Sequence, residues 1–136
     1  KRLNPDELRQ YFGTYAERVV LAVLLENAEK KTVIEHFPLI LKELLAVYPN
    51  LSLKLSPNLS DQTQFTYIKG AQTLNISATI VDEAKAHSPY GIVVHSDKAE
   101  NLDKVLFSEL YPDILASKQT KQIIEKKGFF AKLFGK

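Results

Sequence analysis

The chain has no cysteine, no methionine and no tryptophan, and only five glycines among its 136 residues. Without cysteine, structural disulfides and thiolate metal sites are excluded. No apolar run approaches the roughly 18 residues needed to span a bilayer, and no N-terminal stretch has the pattern of a secretory signal. The cytoplasm is the expected compartment. Because the sequence opens at Lys1 and lacks methionine, Lys1 is not expected to be the native first residue. Internal repeats and low-complexity segments are absent too, which removes solenoid and linker-like readings.

What is present is ordinary for a globular chain. Hydrophobic residues make up 45% and charged residues 25%, enough for one domain with a real core. Net charge is only +2, but it is unevenly placed. Residues 118–136 hold six lysines and a single acid, Glu125, so the first 117 residues are mildly acidic. Nucleic-acid binding needs clustered cations, and the body of the chain lacks them. We therefore expect one α/β domain over residues 1–117 and a basic, aromatic helical extension over 118–136.

Hydrophobic periodicity sets out the elements. Asn4, Pro5, Asp6 and Glu7 read as a helix start, and Gly13 as its end. The apolar run 19–25 reads as a strand over 18–24, because valines lead it. Val33, Ile34, Phe37, Ile40, Leu41, Leu44 and Leu45 recur at helical spacing over 30–47. Pro38 within that stretch kinks the helix or starts a second segment. Strict alternation over 51–56 predicts a strand with one polar face. Ser60 then caps a helix whose buried stripe is Phe65, Ile68, Ala71 and Leu74. Residues 76–81 form a strand with Ile76, Ala78 and Ile80 on one face, and 91–96 form a fourth. A helical pattern surrounds 102–110, and a last helix covers 118–127. The alternation favours parallel first, second and third strands with helical crossovers. The nine-residue connection 82–90 leaves the fourth strand either in a hairpin with the third or inserted antiparallel elsewhere.

Four stretches carry a resemblance: "YFGTYAERVVLAV", "LSPNLS", "IVDEAKAHSPYGIV" and "LYPDIL". Together they resemble the YueI-like family of small proteins, found mainly in Gram-positive bacteria, over roughly residues 10–95. The resemblance implies a mixed four-stranded sheet like that of the Bacillus chorismate mutase-like fold. Its strand order would be 1-4-2-3, with strand 4 antiparallel. The family has no established activity, so the resemblance assigns no residue a role.

If the first three strands are parallel, their C-terminal ends share one edge, where open α/β sheets hold ligands. That rim would gather Glu26, Asn27, Ser56, Asn58, Ser60, Asp82, His87, Ser88 and Tyr90. Helix N-termini arriving there would suit an anion. Each residue also has a plainer reading. Asp82 can bond turn amides, and Asn58 and Ser60 can cap or turn. His87 can be a solvated loop histidine as readily as a general base. Ser88 precedes Pro89, is extended, and lacks a nucleophile elbow. Gly91 serves close packing or an unusual dihedral. His36 reads as structural or surface, His95 as remote from His87, and Arg18 as a salt-bridge partner. The histidines lack metal-ligand spacing, so no metal and no cofactor is expected.

Phe129, Phe130, Leu133 and Phe134 share one face of the C-terminal segment. They read as a docking surface for the chain's own core, a second copy or a protein partner, with weak association to a membrane surface as the alternative. The expected function is a non-catalytic module that binds a small ligand or partner at the rim. Its alternatives are an enzyme acting on a small anion and, by analogy of fold alone, an RNA binder.

Overall fold

The computed structural model describes residues 11–82 and 88–116. The expected helices at the N-terminus and over 118–127, and the whole extension 118–136, lie outside the described residues. Within them the order is β1 (Val19–Leu24), α1 (Leu25–Ala28), α2 (Lys31–Val47), β2 (Leu51–Leu55), α3 (Asp61–Thr73), β3 (Ser77–Ile80), β4 (Tyr90–Ser96), α4 (Phe107–Leu110) and α5 (Pro112–Ala116). A single 3-10 turn, Ala16–Arg18, leads into β1.

One four-stranded sheet has the order β1-β4-β2-β3. β2 and β3 are parallel, and β4 runs antiparallel to both β1 and β2. The first three strands therefore share a direction, and β4 is inserted rather than paired with β3 as a hairpin. The connection from β3 to β4 has to pass the C-terminal end of β2.

Side-chain alternation sorts the sheet into two faces. Leu51, Leu53 and Leu55 of β2 join Val20, Leu21 and Val23 of β1 and Ile92 and Val94 of β4 beneath the helices. Phe37, Ile40 and Leu41 of α2, Tyr67 and Ala71 of α3 and Ile114 of α5 complete that core. On the second face, Val19, Ala22, Tyr90 and Val93 are buried with Phe12 and Val81. β1 is thus covered on both sides, which explains its unbroken apolar run. Its outer edge is also taken, since Ala22 N–H donates to Val105 O at 2.7 Å and Ala22 bridges Leu106. The other half of the second face is open: Ser77 and Thr79 are exposed, and Ser52 and Lys54 half-buried.

Four expectations are revised. Of the two readings of Pro38, the start of a second segment does not hold: α2 is continuous over 17 residues with Pro38 inside it. α2 crosses α3 at this proline, where a Cβ on Gly70 would sit 3.8 Å from the Pro38 ring. The buried stripe of α3 is Thr63, Tyr67 and Ala71, whereas Phe65 is 64% exposed. Hydrogen bonds set the rotation of this helix: the Tyr67 hydroxyl reaches Ala28 O at 2.7 Å, and Thr63 reaches a carboxylate described below. Phe65 instead lies at the surface, with Lys69 Nζ 5.8 Å from its ring centroid. The face expected to carry Ile76, Ala78 and Ile80 is buried only at its start: exposure rises from 3% at Ile76, just before β3, to 40% at Ile80, at the end of the edge strand. The helical pattern expected over 102–110 is confined to Phe107–Leu110, followed by α5 with Pro112 at its first position.

Candidate functional site: the strand-end rim

The C-terminal ends of β2 and β3 are tied together by Val81 N–H donating to Leu55 O at 3.0 Å. Ser56 N–H donates to Gly91 O, and Leu25 N–H to Pro89 O, both at 2.9 Å. The segments after β1, β2 and β3 and the start of β4 thus meet at one edge. The rim expected from parallel strands is present, with Asn58 and Asp82 at the same end of the sheet.

Gly91 is what lets α1 close onto this edge. A Cβ there would lie 3.0 Å from both Ala28 Cβ and Leu25 Cα, and 3.3 Å from Leu59. The close-packing reading of Gly91 therefore holds.

Much of the rim's polar capacity is used internally. Glu29 follows α1 and lays its carboxylate across the N-terminus of α3. Ser60 N–H donates to Oε2 at 2.6 Å, Thr63 Oγ1 to Oε1 at 2.6 Å and Ser60 Oγ to Oε1 at 3.3 Å. Ser60 Oγ also caps the helix by accepting from Thr63 N–H at 3.2 Å. Burial alone would raise the Glu29 pKa, but the bonds from Thr63 and Ser60 outweigh it and hold the carboxyl below its ordinary value. Anion affinity expected at this helix start is met by the chain's own anion. Gln64 Nε2 then braces the β2–α3 loop, donating to the carbonyls of Ser56, Pro57 and Leu59 at 3.0–3.2 Å. Burial, then the Glu29 charge, pushes the Tyr67 phenol upward, so it stays a neutral donor to Ala28 O.

The expected site residues divide accordingly. Ser56, only 2% exposed, accepts from Asn58 N–H at 3.0 Å through its hydroxyl. Ser60 is the cap. Ser88 Oγ accepts from Tyr90 N–H at 3.1 Å, the plain turn reading. The Tyr90 ring lies on the second face, stacked on Tyr11 with centroids 5.4 Å apart and planes 9° apart. Asn58 and Asp82 are exposed, and Asn27 is 7% exposed in α1. No described residue hydrogen-bonds the Asn27 side-chain amide. Glu26 is exposed beside it. His87 and the docking candidates Phe129, Phe130, Leu133 and Phe134 lie outside the described residues.

The remaining polar residues of the sequence reading are structural. His36 is 2% exposed, and its Nδ1–H donates to Thr32 O at 2.8 Å. Arg18 stacks over Tyr15 at 5.3 Å and has no carboxylate partner among the described residues. His95 pairs across the sheet with Val19 and Ser52, at the end opposite the rim. Burial, reinforced by the charges of Lys54 and Arg18, lowers its pKa despite a bond to Ser96 O. Among the described residues no group of three or more His, Asp or Glu side chains could hold a metal. No described helix is long and apolar enough to cross a membrane.

Sequence reasoning missed Glu29. Its signal is the spacing of an acid at the end of the β1–α1 unit, ahead of a Ser-x-x-Thr helix start in the next unit. The two come together only because parallel strands bring both loops to one edge.

Comparison with known proteins agrees with this architecture. A crystal structure of the YueI protein from Bacillus subtilis superposes with a TM-score of 0.63 and 28% sequence identity, covering 78% of this chain and 80% of that one. In sequence, the uncharacterized protein YueI of Bacillus subtilis strain 168 is 31% identical over 111 residues, which is 78% of this chain and 77% of the relative. A family model described as protein of unknown function (DUF1694) matches residues 1–106, and the chain belongs to that family.

Proposed function

We propose that this protein is a non-catalytic binding module that holds a small hydrogen-bonding ligand at the strand-end rim. Asn27, Asn58 and Asp82 are its ligand contacts. The observation that carries this reading is the division of the rim into two sets of polar groups. Ser56, Ser60, Ser88 and Glu29 are bonded within the fold. Asn27 is nearly buried with no described partner for its amide, and Asn58 and Asp82 are exposed on the loops after β2 and β3. An amide held in place with unused donors and acceptors is suited to recognition.

The fixed state of Glu29 favours binding over acid–base chemistry. A catalytic carboxylic acid is usually tuned upward, toward the working pH, whereas Glu29 is held as a stable anion. Its charge at α3 also favours neutral or hydrogen-bond-donating ligands over anions.

A thermal-shift screen against small polar metabolites tests the proposal. Compounds that stabilise the protein are expected to lose their effect in Asn27→Ala/Asp82→Ala, with the circular dichroism spectrum unchanged. A shift that survives both substitutions removes the rim as the seat. Turnover of a stabilising compound would replace the binding module with an enzyme.

A further inference from the structure

The opposite edge of the sheet holds a concavity of about 460 Å³, within the size range of small-molecule sites. It lies where β2 and β3 begin and β4 ends, so none of the rim residues takes part. Leu45, Leu51, Leu74 and Ile76 give it an apolar floor. Asn50, Ser52, Asn75, Ser77 and Asp97 stand around that floor. They come from three separate segments: the α2–β2 turn with β2, the α3–β3 turn with β3, and the residue after β4. The sheet register holds them together, since Ser52 pairs with Ser77 on one side and Leu51 with Ser96 on the other.

The lining has one formal charge, Asp97. The Ser96 hydroxyl donates to it at 3.5 Å, and it forms no ion pair with any described residue. Lys98, next in sequence, is exposed and does not neutralise it. Lys54, also on β2, is turned to Phe12 O at 3.2 Å. The site therefore offers a carboxylate with no ion-pair partner among the described residues, and two amides beside aliphatic side chains. A ligand matching that set carries one ammonium, several hydroxyls and a compact apolar face.

We propose that this concavity is a second ligand site, selective for a small polyhydroxylated amine of the amino-sugar class. The ammonium pairs with Asp97, and hydroxyls exchange hydrogen bonds with the Asn50 and Asn75 amides. The C–H face of the ring rests on Leu45, Leu74 and Ile76. Nothing in the proposal depends on the rim.

The test titrates the full chain, labelled with nitrogen-15, with glucosamine, and with glucose and N-acetylglucosamine as uncharged controls. Glucosamine is expected to shift the amide signals of Asn50, Ser52, Asn75, Ser77 and Asp97 and to leave those of Asn58 and Asp82 in place. Loss of one charge-assisted contact weakens binding about tenfold, so both controls should bind about that much more weakly. Asp97→Asn should bind all three sugars alike and keep the parent spectrum elsewhere. Asp82→Asn should retain the full preference for glucosamine. Absence of shifts at this edge with glucosamine would overturn the proposal. So would equal shifts from the neutral sugars, or an undiminished preference in Asp97→Asn.

Discussion

The two ends of the sheet handle polar groups in opposite ways. At the rim, where three strands end together, the fold binds its own anion: Glu29 sits on the N-terminus of α3, and serine hydroxyls satisfy neighbouring backbone amides. At the far edge, Asn50, Ser52, Asn75, Ser77 and Asp97 surround open space. The difference follows from helix polarity. Crossovers between parallel strands start their helices near the C-terminal edge, where unsatisfied N–H groups require acceptors. Helix C-termini and loops reach the other edge, which places no such demand on nearby carboxylates. An edge can thus collect the polar residues of a site while using most of them for structure.

Substitutions can break this contrast, and the largest effect is expected at Gly91. Gly91→Ala places a methyl 3.0 Å from two α1 atoms and should destabilise the protein by about 1–3 kcal/mol, measured by urea unfolding. Tyr67→Phe removes the donor to Ala28 O and should cost about 1–2 kcal/mol. Glu29→Gln keeps the shape but weakens the cap, with an expected loss of about 0.5–1 kcal/mol. At the far edge Asp97→Asn should change stability by less than about 0.5 kcal/mol. A large loss there would mean that Asp97 is as structural as Glu29.

Acid offers a second way to sharpen the comparison. His95 and Glu29 both have folded pKa values below their ordinary ones. For each, the unfolded chain takes up protons first, so stability falls as pH is lowered. His95 contributes below its ordinary 6.5 and Glu29 below 4.5. In Glu29→Gln the lower of these two components should shrink, while the upper remains. Unfolding free energies between pH 3 and 8 read this out directly.

Much of the architecture was legible in the residues. The alternating leucines of β2, the valine-led run of β1 and the spacing of α2 identified those elements, and the parallel arrangement placed Asn58 and Asp82 at one end. Periodicity left β4 undecided, because a nine-residue connection suits a hairpin or a crossover. The family resemblance implied the order that the sheet has. Misreadings arose where polar bonds overrode hydrophobicity. Phe65 outranks Thr63 on any apolar scale, yet Thr63 faces inward because Glu29 accepts its hydroxyl hydrogen bond. Tyr90 begins β4 at the rim, as expected, but its ring stacks on Tyr11 through the second face, a contact made by a distant turn. Glu29 itself was overlooked because its partners lie 31 and 34 residues away.

The most direct test is a carbon-detected NMR titration of the Glu29 carboxyl, with hydrogen exchange followed at the Ser60 and Thr63 amides. Glu29 should titrate below an ordinary glutamate, and both amides should be protected at neutral pH and lose protection as it protonates. An ordinary Glu29 titration with a freely exchanging Ser60 amide would contradict the account, leaving the start of α3 open to an external anion.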